Sequence, residues 1–159
     1  MTRRPGEWVL LSYRIPREPS TPRITVWRKL ERLGVARLGD GLVALPADAR
    51  TREQLEWLAE EIVEADGTAT VWLARPASTA QEDAIVDSMR AARAAEYRAI
   101  IEQTKGPAPR VAKLRAELRR IDRRDFFPPP ERDVAHAATE AARNEIDANP
   151  QANTGVGKR

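Results

Sequence analysis

The stretch that decides the fold is Val35–Pro46, VARLGDGLVALP. Two short apolar runs, Val35–Leu38 and Leu42–Leu45, flank Gly39-Asp40-Gly41. Aspartate and glycine between strand-like runs signal a hairpin, because the tight turn needs residues that tolerate positive φ. Pro46 carries no amide hydrogen and ends the second strand.

Upstream, residues 7–15, EWVLLSYRI, read as a buried strand stopped by Pro16. PREPSTPR follows as a turn cluster, in which Ser20 or Thr21 is placed to cap a helix and Pro22 suits its first turn. That helix is expected to reach Leu33, with Gly34 as its left-handed terminator. Val26, Trp27, Leu30 and Leu33 share one side of it, and Arg28, Lys29 and Arg32 share the other.

Downstream, Thr51 and Gln54 have the spacing of a capping box. Leu55, Leu58, Ile62 and Val63 then recur at helical spacing up to Asp66-Gly67, and TATVWLAR (68–75) reads as a strand ended by Pro76. The order β-α-β-β-α-β predicts an α+β fold, a ferredoxin-like sandwich with four antiparallel strands and two helices on one face.

A helical extension is predicted after it. Thr79 and Glu82 suggest a capping box for a helix over 80–104, which Lys105-Gly106-Pro107 breaks. Residues 109–125 resume as a helix with Val111, Leu114, Leu118 and Ile121 on one seam, a pattern that asks for a packing partner. Phe126-Phe127 and three prolines lead to an Ala-rich helix over 131–147, with a weak seam through Val134, Ala138 and Ala142. The expected organisation is a domain over 7–76, a helical extension over 79–147 and a disordered tail over 148–159.

Composition narrows the chemistry. The 159 residues include no cysteine and one histidine, His136. That excludes disulfides, thiolate zinc sites, cysteine nucleophiles and multi-histidine metal sites. No apolar run approaches the roughly 18–20 residues that span a bilayer, and a cytoplasmic location is expected. The net charge of +3 hides a division: residues 1–48 carry +4, residues 49–104 carry −5, residues 105–125 carry +5 and the remainder −1. Basic blocks attract polyanions through counterion release.

Catalytic constellations are sparse. Glu56, Glu60 and Glu64 form a row on one helix, a poor cage for a cation by itself and the usual look of a solvated face. Ser12 and Ser88 have no base nearby in sequence, and an isolated His136 reads as a surface residue. GVARLGDG matches neither the P-loop nor the dinucleotide fingerprint. No enzyme, cofactor or metal is expected. What remains is basic: Arg14, Arg17, Arg23, Arg28, Lys29 and Arg32 gather around the first strand and helix, with Arg37 in the next strand. Guanidinium groups bind phosphates bidentately. Tyr13, Trp8, Trp27, Trp57 and Trp72 have the chemistry to stack on bases, but the tryptophans of a small sandwich read first as core.

The runs WVLLSYRIPREPSTPRITVWRKLERLGVARLGDGLVALP, REQLEWLAEEIVEADGTATVWLAR, RAARAAEYRAIIEQ and RIDRRDFFPPPER together resemble the N-terminal domain of the ChrB family, associated with bacterial chromate resistance. The resemblance covers about residues 7–135. It implies a chromate-responsive transcriptional regulator that binds double-stranded operator DNA as a homodimer, with chromate as a candidate effector. In outline the chain is also similar to the ferredoxin-like domain of PaaX-type repressors, which is related to small CRISPR-associated ribonucleases. Those ribonucleases place a metal-binding aspartate at the end of the first strand, where this chain has Ser12-Tyr13-Arg14-Ile15, so nuclease activity does not carry over. Family members have a further C-terminal domain beyond the shared region.

Two functions follow as expectations. One is a DNA-binding regulator gripping phosphates through Arg14, Arg17, Arg23, Arg28, Lys29 and Arg32. The other is a non-catalytic adaptor, lacking the sensor domain, whose helical seam packs on a partner protein.

Overall fold

Strand β1 (Trp8–Arg14) occupies the middle of a four-stranded antiparallel sheet, ordered β2-β3-β1-β4, in the computed structural model, which describes residues 4–150. Its neighbours are β3 (Leu42–Pro46) and β4 (Thr68–Ala74), and β2 (Ala36–Gly39) pairs with β3 at the edge. Helix α1 (Thr21–Leu33) joins β1 to β2, and α2 (Ala49–Glu64) joins β3 to β4. Helices α3 (Thr79–Thr104), α4 (Val111–Arg123) and α5 (Glu131–Ala148) follow. The protein is thus α+β, with five helices among the described residues. Two compact units divide between Met89 and Arg90, so the first takes in the start of α3.

Strand alternation builds the first core. Register sets Val9 opposite Leu45 and Leu11 opposite Val43, and all four side chains are fully buried. Leu10 and Ser12 point to the other face, across from Trp72 and Thr70. Helix α2 packs on β1 and β4 and also meets α1. It brings Leu55, Leu58 and Ile62, while α1 brings Val26 and Leu30. Each such burial contributes on the order of 1.5–3 kcal/mol.

The helix ends depart in detail from the sequence reading. Gly34 terminates α1 with φ of 73°, as its position implied. Ser20 sits at the N-cap of α1 but its side chain makes no capping bond. The capping box of α2 is Asp48 with Thr51, one turn earlier than Thr51 with Gln54: Asp48 Oδ1 accepts from Thr51 N at 2.7 Å, and Thr51 Oγ1 accepts from Asp48 N at 3.0 Å. Thr51 is buried and also donates to the Pro46 carbonyl at 2.6 Å. At α3, Ser78 Oγ accepts from Gln81 N at 3.2 Å. Glu82 reaches back to the start of the chain: its Oε1 accepts from Gly6 N at 2.7 Å and from Trp8 Nε1 at 3.0 Å.

The second unit is a helical cluster. Tyr97, Ile100, Leu114, Leu118, Ile121 and Ala135 form its buried centre, with Ile101 packed at the edge. The seam of α4 is therefore filled from within the chain, and α5 is its neighbour. The buried stripe of α5 is Ala135, Thr139 and Ala142. Of the expected Val134–Ala138–Ala142 stripe, Ala142 is buried, whereas Val134 is 54% exposed and its place is taken by Ala135. Helix α5 runs through Ala148, and residues 151–159 of the expected tail lie outside the described residues. No helix of the described residues is long and apolar enough to cross a membrane.

Candidate nucleic-acid interface

The C-terminal end of β1, the first turns of α1 and the β2–β3 turn converge on a groove of about 1140 Å³. The order of elements dictates this. Strand β2 runs parallel to β1 with β3 between them, so the hairpin turn returns to the end where β1 stops and α1 begins. Gly41 makes the junction close. Its carbonyl accepts from Tyr13 N at 2.8 Å, its φ is 67°, and a Cβ built there would stand 2.4 Å from the Tyr13 carbonyl oxygen. Only glycine fits.

Four arginines line the groove: Arg14 from β1, Arg17 from the following turn, Arg23 from α1 and Arg37 from β2. Tyr13 and Trp27 line it too, and Asp40 is its one acidic residue. Among the described residues, Arg14, Arg17 and Arg23 are exposed and have no carboxylate within ion-pair distance. Arg37 is held differently. Its Nη2 lies 2.8 Å from Glu31 Oε1, and its guanidinium carbon sits 5.8 Å from the centroid of the Trp27 ring. At an exposed site that cation–π contact contributes about 0.5–1 kcal/mol. It fixes the ring beside the groove.

The six basic residues singled out in the sequence do not form one face. Arg14, Arg17 and Arg23 come together in the groove. Arg28 and Arg32 are exposed on the outer side of α1, rotated away from Arg23 by about 140–180° at 100° per residue. Lys29 is engaged by the protein itself: its Nζ lies 2.6 Å from both carboxylate oxygens of Glu61 on α2.

Three tryptophans overturn their reading as core. Trp8 is buried, but Trp27, Trp57 and Trp72 are 54%, 59% and 53% exposed. Trp72 faces outward from an edge strand and donates Nε1 to Ser12 Oγ at 2.9 Å. Trp57 sits one position short of the buried Leu58, and that 100° step turns it to solvent.

The second unit holds a polar cluster that sequence reading did not find. The Tyr97 hydroxyl lies 2.9 Å from Asp122 Oδ1 and 2.8 Å from Asp125 Oδ2. Having one proton, it donates to one carboxylate at a time. Burial first, and then these two carboxylates, push the hydroxyl far above the usual tyrosine value. His136 Nε2 lies 3.0 Å from Asp122 Oδ2, and Arg132 Nε lies 3.3 Å from Asp122 Oδ1. His136 is thus a half-buried partner of Asp122 rather than an isolated surface residue. Arg124 pairs with Glu96 at 2.7 Å, and Arg93 Nε approaches the same carboxylate at 3.0 Å with geometry too bent for a hydrogen bond. A signal for this cluster was present. Asp122 and Asp125 at the end of a helix oppose its macrodipole and so mark a stabilising partner. The cluster ties α3, α4 and α5 together. Among the described residues no group of three or more histidine or acidic side chains is placed to hold a metal ion.

The first unit is therefore an α+β domain with an arginine-lined, aromatic-flanked groove at one end of its sheet. Residues 23–106, more than half of the chain, match the family model described as Protein ChrB, N-terminal. The chain belongs to that family. It is 29% identical over 143 residues to Protein ChrB of Cupriavidus metallidurans, an alignment that covers 76% of this chain and 40% of that relative. The chain thus spans well under half the length of the curated relative it matches. No solved structure matches it.

Proposed function

We propose that this protein is a DNA-binding regulator of the chromate-resistance type, and that its first unit is a ferredoxin-like sandwich whose groove grips the phosphate backbone of duplex DNA. The strand order β2-β3-β1-β4 with the element order β-α-β-β-α-β supports the sandwich. Membership of the ChrB N-terminal family supports the regulator. The observation that carries the binding reading is the convergence of Arg14, Arg17 and Arg23, without carboxylate partners, on one groove.

The mechanism is electrostatic anchoring. Each exposed guanidinium replaces condensed counterions on a phosphate, and the released ions drive binding. Arg37, already held by Glu31 and Trp27, braces the wall more than it binds. Lys29, held by Glu61, contributes little. Arg28 and Arg32 lie outside the groove and act only if a second stretch of backbone passes over the outer side of α1. A homodimer on a two-fold operator, with chromate as effector, completes the reading. The adaptor alternative is left without its motive, since the α4 seam is filled by the chain's own helices.

Fluorescence anisotropy with a labelled operator-region duplex at about 0.15 M salt tests this. The Arg14→Ala/Arg17→Ala/Arg23→Ala protein should bind at least about tenfold more weakly than the wild type. Equal binding by the two proteins would refute the groove.

A further inference from the structure

The α4 helix carries a second cationic surface. Leu114, Leu118 and Ile121 are buried, and the opposite side of the helix presents Lys113, Arg119, Arg120 and Arg123, all exposed. None of these four has an ion-pair partner among the described residues. Other cations of the same segment are engaged: Arg115 with Glu140 and Arg124 with Glu96. Packing thus neutralises the inner arginines of the segment and leaves the outer cations bare.

We propose that the solvent face of α4 is a second duplex-DNA contact, lying along the phosphates with Lys113, Arg119, Arg120 and Arg123. The choice of ligand rests on the regulator reading, and the geometry suits it. At 1.5 Å per residue, Lys113 to Arg123 spans about 15 Å, close to the roughly 12 Å width of the major groove. Ala112 and Ala116 lie between the cations on the same side, so no bulky side chain holds the helix off the backbone. The two acidic residues of α4 lie off the strip: half-buried Glu117 at its edge toward the core side, and Asp122 turned to Tyr97 and His136. Duplex DNA presents one negative charge per roughly 1.7 Å of axis, the complement of such a strip. Competing ligands fit less well. A single strand binds through aromatic stacking platforms, and the exposed side of α4 has no aromatic residue. A membrane surface needs an outward apolar face, whereas the apolar side of α4 is buried in its own unit. This site shares its ligand with the arginine groove but none of its residues.

The test uses the full chain with Lys113, Arg119, Arg120 and Arg123 all changed to Gln, a good helix former at solvent positions. A second protein carries Lys at all four positions. Anisotropy with a labelled mixed-sequence duplex is recorded across a salt series, alongside the groove variant Arg14→Ala/Arg17→Ala/Arg23→Ala. The Gln protein should bind on the order of tenfold or more weakly, with a salt slope smaller by about 0.9 for each phosphate no longer neutralised. The Lys protein should bind close to the wild type, because backbone anchoring needs charge rather than a planar fork. Wild-type affinity and slope in the Gln protein would overturn the proposal. So would a Gln protein altered only in self-association by light scattering, which would make the strip a docking surface for the acidic α2 face of a second copy. The groove variant reports separately: a groove that fails leaves the α4 result standing, and the reverse also holds.

Discussion

Lys29 Nζ sits 2.6 Å from both carboxylate oxygens of Glu61, joining α1 to α2. Their side chains are 38% and 41% exposed, so the pair is worth little in stability, and its greater effect is to cancel a charge on the basic side of α1. A double-mutant cycle with Lys29→Ala and Glu61→Ala, read by urea denaturation, should give a coupling of about 0.2–1 kcal/mol. Lys29→Ala should weaken DNA binding less than Arg23→Ala does. A coupling well above that range would mean the pair is shielded from water.

The exposed tryptophans separate packing from surface. Trp8→Ala should cost about 3–5 kcal/mol, because it empties a buried site and removes a bond to Glu82. Trp57→Ala should fall within about 0.5 kcal/mol of wild type. Chemical denaturation of both proteins checks this, and comparable losses would contradict the burial described.

The β2–β3 turn gives a paired control. Gly41→Ala places a methyl against the Tyr13 carbonyl at a φ of 67°, and it should cost on the order of 1–3 kcal/mol. Gly39→Ala meets nothing within 4 Å and should change stability by no more than about 0.5 kcal/mol. Reversal of that order in thermal melts would show the turn to be built differently.

Tyr97 sets an alkaline limit. Burial and the neighbouring Asp125 and Asp122 raise its folded-state pKa above the ordinary value of about 10. The folded protein therefore holds a proton that the unfolded chain releases. This contribution is complete below about pH 10 and declines as pH rises beyond it. Tyr97→Phe has no proton to lose. Its melting temperature should start lower at neutral pH and approach that of the wild type above about pH 10. A constant gap between the two from about pH 8 to about pH 11 would exclude the linkage.

Much of the fold was legible because its signals are local. The Gly-Asp-Gly turn, Pro16, Pro46 and Pro76 as strand stops, and Gly34 after a periodic stretch all act within a few residues. What failed depends on tertiary surroundings. Thr51 was readable as a cap, yet Asp48 upstream takes that place while Thr51 turns inward to Pro46. Glu82 had the spacing of a box partner, but nothing local marked Gly6 and Trp8, more than 70 residues away, as donors to its carboxylate. Helical periodicity placed Trp27 beside Val26 and Leu30 without showing that its ring turns out to the arginine groove, 54% exposed. In the candidate site, the chain order around β1 and α1 revealed Arg14, Arg17 and Arg23 as neighbours. Helical phase alone separates Arg28 and Arg32 from them, and only the fold shows that Glu61 takes Lys29.

On the proposed reading, Arg14, Arg17 and Arg23 anchor DNA phosphates. Its most direct test is the slope of log Kobs against log salt for a duplex, measured with the wild type and with all three arginines changed to Ala. Each phosphate left without its arginine lowers the slope by about 0.9, so the magnitude for the triple variant should fall by between about 2 and 3. An unchanged slope, with affinity unchanged across the series, would contradict the anchoring role.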